Sequence, residues 1–102
     1  MIHVIATIQL HPGTRDEFLS HFRQVVPLVL REAGCLEYGP AVDVSTGIAA
    51  QIAVRADVVT VVEKWAGLPE LEAHLAAPHM AEYRRRVATL VQSTSIQVLV
   101  PA

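Results

Sequence analysis

VVEKWAGLPELEAHLAAPHMAEY, residues 61–83, is the segment around which this sequence is organised. A β-branched run over residues 58–62 leads into it and predicts a strand that ends at the tryptophan. Pro69 and Pro78 each predict the start of a helix, because a proline at a first helical position lacks only an N–H that would have no partner there. Three side chains of different chemistry therefore fall within twelve positions: the acid Glu63, the indole Trp65 and the imidazole His74.

The two helices that begin at these prolines are short and amphipathic. The first is expected to bury Leu68, Leu71 and Leu75. The second has an apolar face made of Met80, Tyr83, Val87, Leu90 and Val91. Its three arginines, residues 84–86, are expected to point largely outward.

Residues 2–10, IHVIATIQL, alternate as a half-buried strand does. One face carries Ile2, Val4, Ala6, Ile8 and Leu10 and is expected to meet the helices. The other face carries His3, Ile5, Thr7 and Gln9, and its semi-polar character suits a wet barrel interior or a dimer surface.

A longer helix is predicted after the turn His11-Pro12-Gly13. Thr14 and Glu17 have the spacing of a capping box, and an apolar stripe of helical period follows. Pro27 falls inside that stripe and is expected to kink or divide the helix, because it removes one helical hydrogen bond. Gly34 is expected to stop it.

Three further segments complete the chain. Cys35–Val44 is predicted to be a strand, and Pro40 within it implies a sheet edge or a bulge. Within residues 45–57, the part from Ile48 to Val54 fits either a strand or a buried loop. Ser95–Val100 alternates and is predicted to be the last strand.

The element order is therefore β-α-β-β-α-(α)-β, the ferredoxin-like arrangement of an α+β protein. Residues 1–102 are expected to form one domain, with helices on one face of a four-stranded antiparallel sheet. A chain of this length cannot close such a sheet alone. We therefore expect two sheets to pack face to face as a homodimer.

Composition excludes several classes of protein. Hydrophobic residues make up 52% of the chain and the mean hydropathy is +0.38, which also favours an apolar surface covered by a second copy. A net charge of −2 argues against a nucleic-acid partner, and no apolar run reaches the roughly 18 residues of a membrane span. The lone Cys35 and the lack of a signal-peptide pattern predict a cytoplasmic location.

Several of these residues together resemble a known family. The shared marks are Pro12-Gly13, Val26-Pro27, Leu30-Arg31-Glu32-Ala33-Gly34-Cys35 with Tyr38, Val42-Asp43, Gly47, Glu63-Lys64-Trp65, Leu71-Glu72-Ala73-His74-Leu75 and Pro78-His79-Met80. In this pattern the sequence resembles the antibiotic biosynthesis monooxygenase superfamily of dimeric α+β barrels, and within it the bacterial quinol monooxygenases. The resemblance implies that dioxygen oxidises an electron-rich dihydroxyaromatic to a quinone without flavin or metal.

His74 and Glu63 are the candidate catalytic residues. Histidine accepts a proton near neutral pH, and a quinolate gives an electron to dioxygen more readily than the neutral quinol does. The alternative for His74 is an exposed place on the helix surface. If the strand face of Glu63 is covered, its carboxylate needs a partner or takes a raised pKa. The competing interpretation for Glu63 is an ion pair with one of the arginines 84–86 or with a dimer mate.

Five further residues are candidates for substrate binding. Trp65 offers a flat surface for stacking, with plain core packing as the alternative. His79, Tyr38 and Tyr83 either contact the substrate or bond and pack locally, and the small Ala6 leaves a pocket floor open. We expect an apolar pocket sized for a two-ring aromatic between the sheet face carrying these residues and the two short helices.

No metal or cofactor site is predicted. His74 and His79 are five positions apart across a proline, which is not the spacing that puts two ligands on one helical face, and there is no glycine-rich phosphate loop. Heme-degrading relatives of the resembled superfamily carry an asparagine where this chain has Ala6, which disfavours the alternative of a heme-handling or non-catalytic binding protein. A lactone- or aldehyde-handling member that needs no oxygen stays open. The expected partners are a small aromatic quinol and dioxygen.

Overall fold

The computed structural model describes residues 1–102, which form four strands and three helices. The elements are β1 (Ile2–Leu10), α1 (Arg15–Leu30), β2 (Cys35–Ala41), β3 (Val58–Trp65), α2 (Leu68–Leu75), α3 (Pro78–Val87) and β4 (Val91–Leu99). The strands form one antiparallel sheet in the order β2-β3-β1-β4. The predicted element order and the ferredoxin-like α+β fold are confirmed.

Strand β1 lies in the middle of the sheet and alternates strictly between a buried and a half-buried face. Its register places Ala6 opposite Val61 and Val4 opposite Glu63. Since directly opposed residues share a face of the sheet, the acid of β3 lies on the buried side, under the helices. The face of β1 predicted to meet helices is the buried one.

The core between sheet and helices is rich in stacked aromatic rings. Phe22 of α1 lies with its ring centroid 5.6 Å from those of both Tyr38 and Tyr83. Phe18 stacks on Phe22 at 5.9 Å, and Trp65 at the end of β3 is fully buried. These rigid rings fix the spacing between α1, α3 and the sheet, because aromatic pairs at such distances have preferred geometries.

Strand β4 has an inner face that no helix covers well. Its register places Ile96 opposite Ala6 and Val98 opposite Val4, so both side chains lie on the helix side of the sheet. They are nevertheless 48% and 45% exposed. The helical layer therefore ends before this edge and leaves an opening beside β4.

Two predicted strand boundaries are wrong. β2 ends at Ala41 rather than Val44, and β4 begins at Val91 rather than Ser95. The polar residues 92–95 form a strand because β1 supplies a hydrogen-bonding partner, which outweighs their weak strand preference. Val91 consequently belongs to β4 and not to the last helix. Pro40 lies on β2, an edge strand, as predicted.

The start of α1 is not a capping box, so that prediction is wrong. The hydroxyl of Thr14 donates to the carbonyl of His11 at 2.8 Å, and no side chain caps the helix. Pro27 lies inside α1 without dividing it. The helix ends at Leu30, and Gly34, with φ of +76°, then turns the chain towards β2.

Residues 42–57 form a largely exposed loop, neither a strand nor a buried segment. Asp43 and Arg55 close it: one carboxylate oxygen accepts from the backbone N–H at 2.9 Å and from Nε at 2.8 Å, and the other from the terminal NH₂ at 3.0 Å. These bonds lower the pKa of Asp43 to about 2. The paired charges hold the ends of the loop together.

Helix α2 buries Leu71 and His74, while Leu68 and Leu75 are 50% and 42% exposed. The prediction for those two leucines is wrong. Residues three apart lie on one face of a helix, and in this short helix that face is occupied by one leucine and the histidine. None of the three helices has the length and apolar character needed to cross a membrane.

Candidate active site

A cavity of about 250 Å³ lies between the buried face of the sheet and the helices, beside β4. Nine of its thirteen lining residues are hydrophobic, and the few polar groups among them include a carboxyl, an imidazole and a guanidinium. A mostly apolar concavity with a few polar groups is typical of small-molecule sites, and this volume is slightly below the roughly 300–1,000 Å³ that such sites usually have.

Five of the seven predicted site residues line this cavity: Ala6, Tyr38, Glu63, His74 and Tyr83. Trp65 and His79 do not. Apolar side chains that the sequence did not single out as site residues, among them Phe22 and Val61, complete the walls.

Glu63 is a buried acid, 6% exposed, at the floor of the cavity. Its Oε1 accepts a hydrogen bond from the indole N–H of Trp65 at 2.9 Å, and it forms no ion pair with the arginines of α3. Burial raises its pKa to about 6; the neighbouring Glu32 adds to this and the indole bond opposes it. A carboxyl group that titrates near neutral pH can both accept and return a proton.

His74 also lines the cavity and is almost fully buried, with 1% of its surface exposed. Its Nδ1 lies 2.9 Å from Oε2 of Glu32, and its ring centroid lies 5.3 Å from that of Tyr38. Burial lowers the pKa of the imidazole, and the bond to Glu32 only partly offsets this. The ring is therefore neutral at neutral pH, as a proton acceptor must be.

Trp65 contacts both candidate catalytic side chains without facing the cavity. Its ring centroid is 4.6 Å from that of His74, and its N–H is bonded to Glu63. The expectation that it forms a stacking wall differs from the structure, because the fully buried indole has no face free. It supports the two side chains from behind.

The two tyrosines are part of the aromatic wall. Burial raises the pKa of both hydroxyl groups, so Tyr38 and Tyr83 remain neutral throughout the ordinary pH range. A neutral phenol can donate a hydrogen bond to an oxygen in the cavity.

The three arginines of α3 are exposed, as expected, and Arg84 in addition lines the cavity. Its terminal nitrogen donates to the carbonyl of Leu75 at 2.8 Å, at the end of α2. This bond turns the guanidinium towards α2 and places a positive charge at the cavity rim.

Glu32 is the residue that sequence reasoning missed. It follows α1, and its Oε2 lies 2.9 Å from Nδ1 of His74 and 2.7 Å from Nε2 of His79. The partners are 42 and 47 positions away, so no local spacing could reveal the contact. The only signal was its place in the segment 30–35 that carries the family resemblance.

No group of three or more histidine, cysteine, aspartate or glutamate side chains is arranged to hold a metal ion.

The fold and the cavity define a small α+β protein that can take up a small, largely apolar molecule beside an acid and a base. Comparison with known proteins is more specific. The sequence profile described as antibiotic biosynthesis monooxygenase matches residues 1–86. The probable quinol monooxygenase YgiN of Escherichia coli K12 is 39% identical over 103 residues, which cover 99% of this chain and 98% of the relative. The chain belongs to the antibiotic biosynthesis monooxygenase family.

Solved structures show the same fold. PA3566 from Pseudomonas aeruginosa superimposes with a TM-score of 0.80 at 26% identity, covering 99% of this chain and 93% of the other. A conserved protein from Methanosarcina mazei Go1 gives a TM-score of 0.83 at 22% identity, with coverage of 99% and 92%. The recognised resemblance and the ferredoxin-like architecture are thus confirmed.

Proposed function

We propose that this protein is a monooxygenase that oxidises a quinol or related dihydroxyaromatic to a quinone with dioxygen, without a flavin or metal. The observation that carries the proposal is the pair of His74 and Glu63, both buried and both lining one apolar cavity. The relative named a probable quinol monooxygenase supports the substrate class. A cytoplasmic location, expected from the single cysteine, belongs to the same proposal.

His74 is the general base of the proposed reaction. Burial keeps the imidazole neutral, so one ring nitrogen can take the proton of a phenolic hydroxyl. The resulting quinolate is a far better electron donor to dioxygen than the neutral quinol. Positive charge on Arg84 at the rim favours this anion, and the apolar walls strengthen that attraction.

Glu63 is the second proton-transfer group. A quinol that becomes a quinone loses two protons and two electrons. Dioxygen takes the two electrons: it leaves as hydrogen peroxide, or one of its atoms enters the ring and the other leaves as water. A second proton acceptor is therefore needed on the way, after His74 has taken the first proton. With its pKa raised to about 6, Glu63 is largely ionised at neutral pH and still basic enough to accept a proton transiently. The indole of Trp65 holds this carboxyl group in place.

We also propose that the protein is a homodimer that packs through the open sheet face carrying His3, Ile5, Thr7 and Gln9, with β4 assisting. The chain exposes 6177 Å², whereas a compact monomer of this mass is expected to expose about 5,700 Å². On the open face itself, Val62 of β3 is opposite Ile5 and Leu99 of β4 is opposite His3, and these two apolar side chains are 43% and 44% exposed. Apolar surface in excess of a monomer's needs supports a covered interface.

Oxygen uptake with a reduced naphthoquinone as substrate tests the function. The proposal predicts oxygen consumption that depends on enzyme and accompanies quinone formation, in protein purified without flavin or metal. The amounts of oxygen consumed and peroxide formed per quinone show where the oxygen atoms go. Binding of the quinol without enhanced oxidation would instead indicate a non-catalytic binding protein.

A further inference from the structure

We propose that Glu32 is a positioning residue that holds His74 as the Nδ1–H tautomer, with the unprotonated Nε2 available to the cavity, and that His79 holds Glu32 for this task. The three side chains are named the His74–Glu32–His79 cluster below. The inference rests on the proposed function, in which His74 is the base, and adds residues outside the cavity to its machinery.

The tautomer follows from the chemistry of the carboxylate. Glu32 Oε2 lies 2.9 Å from Nδ1 of His74, and Oε1 lies 3.2 Å from the same nitrogen. An ionised carboxylate can only accept hydrogen bonds, so Nδ1 must carry the proton. In a neutral imidazole the other nitrogen, Nε2, then has a free lone pair. No group of the chain hydrogen-bonds to Nε2, and His74 lines the cavity.

His79 gives the carboxylate a second anchor. Its Nε2 lies 2.7 Å from Oε2 of Glu32, the same oxygen that His74 contacts. A glutamate side chain has several rotatable bonds, and one hydrogen bond restrains them poorly. His74 on α2 and His79 at the start of α3 both donate to Oε2 of Glu32, and together they hold this oxygen at hydrogen-bonding distance from His74. The side chains of His79 and Glu32 are 26% and 14% exposed, so the cluster reaches the protein surface through these two residues.

The charges around His74 show what Glu32 contributes. The titratable and charged groups facing the imidazole are Glu32 after α1, Tyr38 on β2, Glu63 on β3, and His79 and Arg84 on α3. Burial, His79 and Arg84 all lower the pKa of His74, and Glu32 opposes them through both its hydrogen bond and its charge. Removing the charge of Glu32 must therefore lower that pKa further and make His74 a weaker base.

Nuclear magnetic resonance of the histidine ring nitrogens tests the tautomer without any substrate. In the wild-type protein, correlations between ring protons and ¹⁵N are expected to show His74 protonated at Nδ1 and unprotonated at Nε2. Glu32→Gln should give a mixture of tautomers, because an amide can accept or donate, and should shift the titration of His74 to lower pH. Glu72→Gln is the matched control, because it neutralises an exposed glutamate on α2 that makes no side-chain hydrogen bond. It should leave the tautomer and the titration of His74 unchanged.

Kinetics provide a second measurement that a purely structural role would not move. Glu32→Gln is expected to lower kcat by about 10-fold or more, yet by less than the roughly 10²- to 10⁴-fold loss expected when the base itself is removed. KM should change little, since Glu32 does not line the cavity. The acid limb of the pH profile should move to lower pH along with the pKa of His74. Glu32→Asp keeps the charge with a shorter reach and should restore part of the rate.

The outcomes separate this inference from the proposed function. A wild-type His74 protonated at Nε2 overturns the positioning role whatever the activity, and so does a Glu32→Gln protein in which neither the tautomer nor the titration of His74 changes. If the predicted tautomer and shift are found but no quinol supports oxygen uptake, the cluster is confirmed and the proposed substrate class is wrong. The tautomer of His74 is measured in the wild-type protein, so the test remains valid even if the Glu32→Gln variant fails to fold.

Discussion

Replacing Glu63 by glutamine is expected to stabilise the protein at neutral pH but not in acid. The carboxyl group is 6% exposed, and burial is the main reason that its pKa rises from 4.5 to about 6. Because the folded state holds this proton more tightly than the unfolded state, the carboxyl's favourable contribution is complete below about pH 4.5 and is lost as the pH rises through about 6. The rise of this pKa from 4.5 to about 6 corresponds to about 2 kcal/mol of unfolding free energy.

The Glu63→Gln variant isolates the free-energy cost of burying the ionised carboxylate. Its amide oxygen can still accept the hydrogen bond from Trp65, so the substitution removes the charge and little else. Urea unfolding of wild type and Glu63→Gln, at pH 4 and pH 7.5 and at matched protein concentration, gives the stability gap between them. The gap should favour the variant by about 2 kcal/mol more at pH 7.5 than at pH 4. The lowered pKa of His74 makes both proteins lose stability as the pH falls through about 6.5, and this contribution cancels in the difference.

The control is again Glu72→Gln, which removes an exposed carboxylate and should change stability by no more than about 0.5 kcal/mol at either pH. A gap for Glu63→Gln that is equal at the two pH values, or larger in acid, would refute the reasoning. In that case the carboxyl would not be desolvated, and its role as a group that titrates near neutral pH would be lost with it.

Three further predictions concern the scaffold. Trp65→Ala removes a buried ring and should lower the unfolding free energy by roughly 3–5 kcal/mol in urea titrations. It should also weaken quinol binding, since both candidate catalytic side chains lose their support. A loss of unfolding free energy below about 1 kcal/mol would contradict this. Gly34→Ala should lower the melting temperature more than Gly13→Ala: both have positive φ, but only at Gly34 does the added Cβ meet another residue, 2.5 Å from Cγ of Glu70. Equal decreases in melting temperature for the two variants would show that the structure relieves the close approach to Glu70 without losing stability. Sedimentation at low micromolar concentration should show a dimer, because an obligate interface of this kind buries about 2,000 Å² or more in total. A folded monomer at that concentration would disprove the proposed interface.

Much of the fold could be predicted from local patterns. The strict alternation of β1, the β-branched run of β3 and the prolines at the starts of α2 and α3 each depend on neighbouring residues, and the structure has these elements where the sequence placed them. The errors arose where a distant partner decides. Residues 92–95 are polar and become a strand only because β1 lies beside them. The capping box is a different, local error: the hydroxyl of Thr14 donates to the carbonyl of His11, three positions away, instead of capping the helix.

Individual residues of the candidate site could be predicted from the sequence, but the contacts between them could not. The sequence singled out Glu63 and His74 by chemistry, and the strand register and helix face then placed both at one cavity. The bond from Trp65 to Glu63 and the cluster around Glu32 depend on side-chain orientation and on contacts across more than forty residues. Periodicity contains no information about such contacts, which is why Glu32 was missed and the position of Trp65 was misjudged.

The most direct test of the proposed function is the rate of oxygen uptake with a reduced naphthoquinone, measured for wild type and His74→Ala at neutral pH. His74 lies in the cavity wall as a neutral, buried imidazole, and general-base assistance contributes on the order of 10²–10⁴ in rate. We predict a loss of that size in a variant whose circular dichroism and oligomeric state match those of the wild type. Full turnover in His74→Ala would contradict the assignment of the base and leave Glu63 or solvent as the proton acceptor.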